Sequence, residues 1–147
     1  MQQLNFSTNI KASAENVWKV LWGDDSYPKW TSVFSEGSHA VTDWKEGSKV
    51  LFLDGKGSGM VSTVSANKPN EFMSFKHLGE VKDGVEDTTS DKVKGWAGAT
   101  ETYTLTDTGG VTELSVDVDI IDQHKDYFIK TFPRALEQVK ELSERSS

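Results

Sequence analysis

The amino-acid sequence predicts an α+β fold: one strand, two short helices, a meander of about six strands and a long C-terminal helix. Three observations carry this expectation. The first residues alternate apolar and polar with the two-residue period of a half-buried strand. The middle of the chain alternates apolar segments with Gly, Pro, Asn and Asp turns. The segment from about Lys125 to Ser143 carries one apolar stripe at helical spacing.

The first strand places Leu4, Phe6, Thr8 and Ile10 on one face and Gln3, Asn5, Ser7 and Asn9 on the other. Ser13 stands where an N-cap belongs, and Glu15 lies in the first turn, where the helix dipole favours a carboxylate. Ala14, Val17, Trp18 and Leu21 then recur at helical spacing. Gly23 is expected to stop this helix by entering the left-handed conformation. Asp24 or Asp25 would cap a second short helix, with Pro28 in or just after its first turn.

In the meander, "DWKEGSKV", "LDGKGSGM", "ANKPNEF" and "TDTGGV" read as hairpin connections. Met73, Phe75 and His77 share one strand face. Ala99, Glu101, Tyr103 and Leu105 share another, opposite Thr100, Thr102, Thr104 and Thr106. Leu114, Val116, Val118 and Ile120 make the cleanest alternation of the chain. The polar, acidic stretch from Val81 to Gly95 reads as a long loop or an extended hairpin tip.

On the final helix, Phe128, Phe132, Ala135, Val139 and Leu142 form the stripe, with Glu137, Gln138, Lys140, Glu141 and Glu144 outside. Pro133 removes one backbone hydrogen bond and should bend the helix near Phe128 to Phe132, at about 3 kcal/mol unless packing compensates.

The 147 residues fit one domain, 1–147, with no linker, repeat or low-complexity segment. Cysteine is absent, which removes disulfide and thiolate-metal schemes and fits a reducing compartment. A net charge of −7 with scattered Lys and Arg argues against a nucleic-acid partner. No signal-peptide pattern opens the sequence, and no apolar run reaches the roughly 20 residues that span a bilayer, so the expected location is the cytoplasm. Five Trp, seven Phe and three Tyr against 35% hydrophobic residues put much of the apolar content into large rings. Rings of this kind build cores, and they also line pockets.

Signatures of catalysis are sparse. His39, His77 and His124 show no metal-ligand spacing, "GKGSGM" lacks the P-loop ending, and no Gly-x-Ser-x-Gly elbow occurs. Asp83, Glu86, Asp87 and Asp91 match no calcium loop and read as a solvated acidic segment. No metal and no cofactor is expected. Glu101 stands out, because strict alternation turns it inward, where an unpaired carboxylate is costly. It reads as a polar anchor or general base for a ligand, or else as a carboxylate held by a Lys or Tyr partner, turned outward by a bulge, or exposed near the strand end. His77 reads as a ligand contact or as a satisfied structural histidine.

The element order, with "NIKASAENVWKVLWGDDSYPKW" near the start and "FIKTFPRALEQVKELSE" at the end, resembles the START-like (SRPBCC, Bet v 1-like, helix-grip) superfamily. The branch it looks most like is that of the activator of heat shock protein 90 ATPase. The Ala-Ser cap, Val17 and Trp18 on the first helix, Trp30 some twelve residues later, the Gly-rich hairpin "WKEGSKVLFLDGKGSGMV" and "SANKPNEFMSF" carry the likeness. The resemblance implies a seven-stranded antiparallel sheet curled around the C-terminal helix, with an apolar cavity between them. Trp18 would then face the sheet and Trp30 the cavity mouth, while Trp22 would face either way.

The function implied is binding of a small hydrophobic or amphipathic molecule such as a lipid, polyketide or aromatic metabolite. Trp30, Phe52, Phe75, His77, Trp96, Glu101, Tyr103, Phe128 and Phe132 would be its ligand-binding residues. A cyclase- or hydrolase-type enzyme using Glu101, Tyr103 or His77 is a second reading. A co-chaperone-like protein-interaction domain is a third, ranked low because the separate N-terminal domain of the eukaryotic activator has no counterpart in this sequence.

Overall fold

The computed structural model describes residues 2–146. The chain runs β1 (Gln2–Ile10), α1 (Ala14–Trp22), α2 (Tyr27–Thr31), β2 (His39–Val41), β3 (Lys49–Leu53), β4 (Gly59–Lys68), β5 (Phe72–Lys82), β6 (Val85–Asp87), α3 (Asp91–Lys94), β7 (Thr100–Asp107), β8 (Thr112–Ile120) and α4 (Lys125–Arg145). The strands form one antiparallel sheet in the order β1-β8-β7-β5-β4-β3-β2, with β6 paired to the end of β5. The expected seven strands therefore become eight. The extra one comes from the Val81–Gly95 segment, which is a hairpin followed by the short helix α3. Ser90 caps that helix by accepting from the Val93 amide at 3.3 Å, and Val93 is fully buried.

Helix α4 continues through Pro133 and lays its apolar stripe on the sheet. Its Phe132 ring stacks on Phe6 of β1 at 5.0 Å and 11°. The stripe is centred slightly differently than periodicity suggests. Thr131, Phe132, Ala135, Leu136, Val139 and Ser143 are buried, whereas Phe128 and Leu142 are only half-buried. At the far end Asn16 of α1 donates to the Ser143 carbonyl at 2.6 Å, tying α1 to the last turns of α4.

The α1–α2 corner departs from expectation in three ways. Gly23 is extended (φ −69°, ψ 142°) rather than left-handed. Glycine is required there for space, since a Cβ would lie 2.5 Å from the Lys19 carbonyl oxygen and 2.8 Å from Ser26 Oγ. Helix α2 starts after Ser26, not after Asp24 or Asp25, and the Ser26 hydroxyl turns back to donate to the Val20 carbonyl at 2.6 Å. Finally, Trp22 and not Trp18 is the inner tryptophan. Lying in the last turn, Trp22 reaches beyond the helix end onto the sheet. Its ring lies 5.0 Å from Trp44, 5.0 Å from Tyr103 and 5.4 Å from Phe75. Trp18 is half-buried and meets one ring, Trp22. Trp44 adopts φ 62° in the β2–β3 connection, where its carbonyl accepts from Asn67 at 2.7 Å.

Trp22→Ala is expected to destabilise the protein by about 3–5 kcal/mol, and Trp18→Ala by clearly less. Denaturant unfolding of the two variants side by side measures the difference, and equal losses would contradict the inward role of Trp22.

Candidate functional site

The aromatic plug around Trp22 fills the space beneath the end of α1 but not the other end of the sheet. There, between the sheet, the β6–α3 segment and the start of α4, lies a cleft of about 910 Å³. A second cleft of about 370 Å³ lies under α2 and the segment that follows it. The two share Gly59, Met60, His77, Glu101, Tyr127 and Phe128, so they adjoin along one polar seam. Gly59 permits the close approach of β3 at this seam, because a Cβ there would sit 1.8 Å from the Phe52 carbonyl oxygen.

Irregular pairing positions the seam. Between Val61↔Gly79 and Ser62↔His77 the β4–β5 register shifts, with Leu78 as the additional residue on β5. His77 and Glu80 consequently both border the larger cleft. On the neighbouring strand β7, Phe75 pairs with Glu101 and Met73 with Tyr103, which sets Glu101 beside His77.

A four-member hydrogen-bonded chain results. Ser62 Oγ lies 2.6 Å from His77 Nδ1, His77 Nε2 lies 3.4 Å from Glu101 Oε1, and Tyr103 OH donates to Glu101 Oε2. The Ser62 side chain is fully buried and its hydroxyl makes no other hydrogen bond. With a neutral imidazole the hydroxyl donates to Nδ1 and the ring proton sits on Nε2, directed at Glu101, since the opposite tautomer would set two lone pairs face to face. Burial, with the Glu101 carboxylate alongside, pushes the Tyr103 phenol well above its usual range, and Tyr27 is raised for the same two reasons. Tyr103 is thus held as a protonated donor.

This chain contains the residue types of a serine hydrolase, but not their arrangement. A nucleophile must reach its substrate, and Ser62 borders neither cleft. Glu101 and His77 both border the two clefts, and Glu101 is the more open, with 22% of its side chain exposed against 7%. Of the open alternatives for this residue, a tyrosine partner is the one realised, together with the inward orientation.

The other expected ligand contacts divide. Trp96 borders the larger cleft; Trp30, Phe52, Tyr103 and Phe132 border the smaller; His77, Glu101 and Phe128 border both. Phe75 borders neither. It is packed solid behind the seam, with Phe52 at 5.1 Å and Trp22 at 5.4 Å. Met60, Ala99, Ile121 and Tyr127 are lining residues that sequence reasoning missed. For Ala99 the signal was present, in its shared alternation with Glu101. His124, distant from His77 in sequence, comes to the same cleft.

The acidic segment has other partners: Glu86 meets Lys49 at 2.7 Å, and Asp87 accepts from the amides of Thr89 and Ser90. Among the described residues no group of three or more His, Cys, Asp or Glu side chains is placed to hold a metal ion. Nor is any helix among them long and apolar enough to cross a membrane.

Comparison with known proteins places this geometry in a family. Residues 11–144 match the family model described as "Activator of Hsp90 ATPase homolog 1-like protein", and the chain belongs to that family. Among solved structures, the fold is similar to protein MLL2253 from Mesorhizobium loti (TM-score 0.76, 17% identity, 99% of both chains). It is also similar to the Aha1 dimer from Colwellia psychrerythraea (0.72, 20% identity, 98% of this chain and 97% of that one). A third is DynU16, from the dynemicin biosynthetic locus (0.74, 14% identity, 100% of this chain and 49% of that one). At these identities the likeness is one of fold. No curated protein matches the sequence.

Because their folded-state pKa values are raised, Tyr27 and Tyr103 contribute stability that is full below about pH 10 and is lost as pH climbs towards those values. Alkaline titration should show no tyrosinate absorbance from either until the protein unfolds. Ionisation of all three tyrosines near pH 10 with the fold intact would contradict their burial.

Proposed function

We propose that the protein binds a small amphipathic molecule in the two adjoining clefts, its apolar body against the aromatic walls and its polar end at Glu101. The observation that carries this reading is the joined pair of hollows, of about 910 and 370 Å³, meeting at a carboxylate. The larger alone falls within the roughly 300–1,000 Å³ typical of small-molecule sites. Its walls supply Trp96, Val118, Ile120 and Phe128, and the smaller adds Phe52 and Phe132. A fold neighbour from a biosynthetic locus supports a small-molecule role over one confined to protein contacts.

Two methionines make the test internal. Met60 borders both clefts, whereas Met73 is packed in the core at 1% exposure. A panel of apolar and amphipathic compounds should include members that raise the melting temperature and shift the Met60 methyl resonance while leaving that of Met73 in place. Phe128→Ala should weaken such binding by about tenfold, corresponding to roughly 1.4 kcal/mol. A panel with no effect on Met60 or on melting would refute the proposal.

A further inference from the structure

Given that the clefts hold an amphipathic molecule, we infer that its polar end is a hydrogen-bond donor, a hydroxyl or an ammonium group received by Glu101, and that carboxylic acids are excluded. The seam presents acceptors without a free donor. Tyr103 commits its proton to Glu101 Oε2, and His77 directs its Nε2 proton at Oε1 from 3.4 Å while Nδ1 is taken by Ser62. Each carboxylate oxygen can accept two hydrogen bonds, so Glu101 keeps capacity on the side that opens to the clefts.

In the rest of the larger cleft the carboxylates Glu80, Asp119 and Asp122 stand against one lysine, Lys92. Asp119 already accepts from the Thr100 amide and hydroxyl, and Asp122 adds a further carboxylate at the rim. Lys92, the cleft's lysine, lies 3.5 Å from Glu80 with 74% of its side chain exposed. Gln123 and His124 line the same cleft from exposed positions just before α4. An acid seated with its body between the walls would bring a second negative charge against Glu101, inside a partly desolvated site whose one lysine, Lys92, is already set against Glu80. A hydroxyl or ammonium meets an oriented acceptor there. An ammonium also faces a cleft whose aromatic walls attract cations.

Three matched probes test this: 1-naphthylmethanol, 1-naphthylmethylamine and 1-naphthylacetate, titrated calorimetrically into the wild-type protein. The alcohol and the amine should each bind at least about tenfold more tightly than the acid. Glu101→Gln should remove most of that preference. Glu137→Gln, which deletes one exposed charge on the outer face of α4, should leave it unchanged. An acid that binds as well as its partners overturns the inference and leaves the cleft reading standing. So does a preference that survives Glu101→Gln, or one that Glu137→Gln reduces equally. Failure of all three probes to bind overturns both readings. Because the wild-type ranking needs no variant, misfolding of Glu101→Gln would not rescue the idea.

Discussion

The packing of Trp22 against the sheet is the constraint on which the remaining structure depends. A single large ring at the end of α1 contacts rings from β5, β7, the β2–β3 connection and α2. Tryptophan offers a broad, rigid apolar surface at little conformational cost, so one residue locks four segments together. Gly23 makes this arrangement feasible by turning the chain away with no Cβ to collide with the preceding turn. With the interior beneath the end of α1 thus filled, α4 is anchored along its middle by Phe132 on Phe6 and at its far end by Asn16. Its first turns stand over space that no side chain occupies, and that space is the larger cleft.

The polar chain sits at the border between the solid and hollow halves of the molecule, as physical chemistry requires. Ser62 and the Nδ1 side of His77 lie in the filled part, where an unpaired polar atom would be costly, and they satisfy one another. Glu101 lies at the open boundary, where its oxygens take two internal donors and retain room for another. Such a graded network orients its outermost member at no cost at the moment of binding, because every inner rotamer is already fixed.

The sequence made most elements legible, but not β6 or α3, which lie in a stretch too polar to read as more than a loop or hairpin tip. The Ser13 cap, the hairpin turns and the course of α4 from Lys125 follow from local chemistry alone. The inward direction of Glu101 was legible because alternation is a strict property of an extended chain. Other features were hidden for a common reason: they depend on partners remote in sequence. Trp22 could not be told from Trp18, since both lie one turn apart and only the sheet beneath decides which ring it receives. Trp44 looked like part of a turn until its left-handed backbone brought its ring back to Trp22. Phe75 carries the right alternation for a cleft wall, yet Phe52 and Trp22 close over it.

What the sequence by itself determined is most of the elements and the inner face of each, because helical and extended periodicities are written in consecutive residues. Only the tertiary structure decided which inner residues touch one another and which face a void. The register shift opposite Leu78, the eighth strand and the pairing of Ser62 with Glu101 through His77 all arise from long-range pairing. A cleft is the volume left over after side chains from many segments have packed, and no local pattern encodes that remainder.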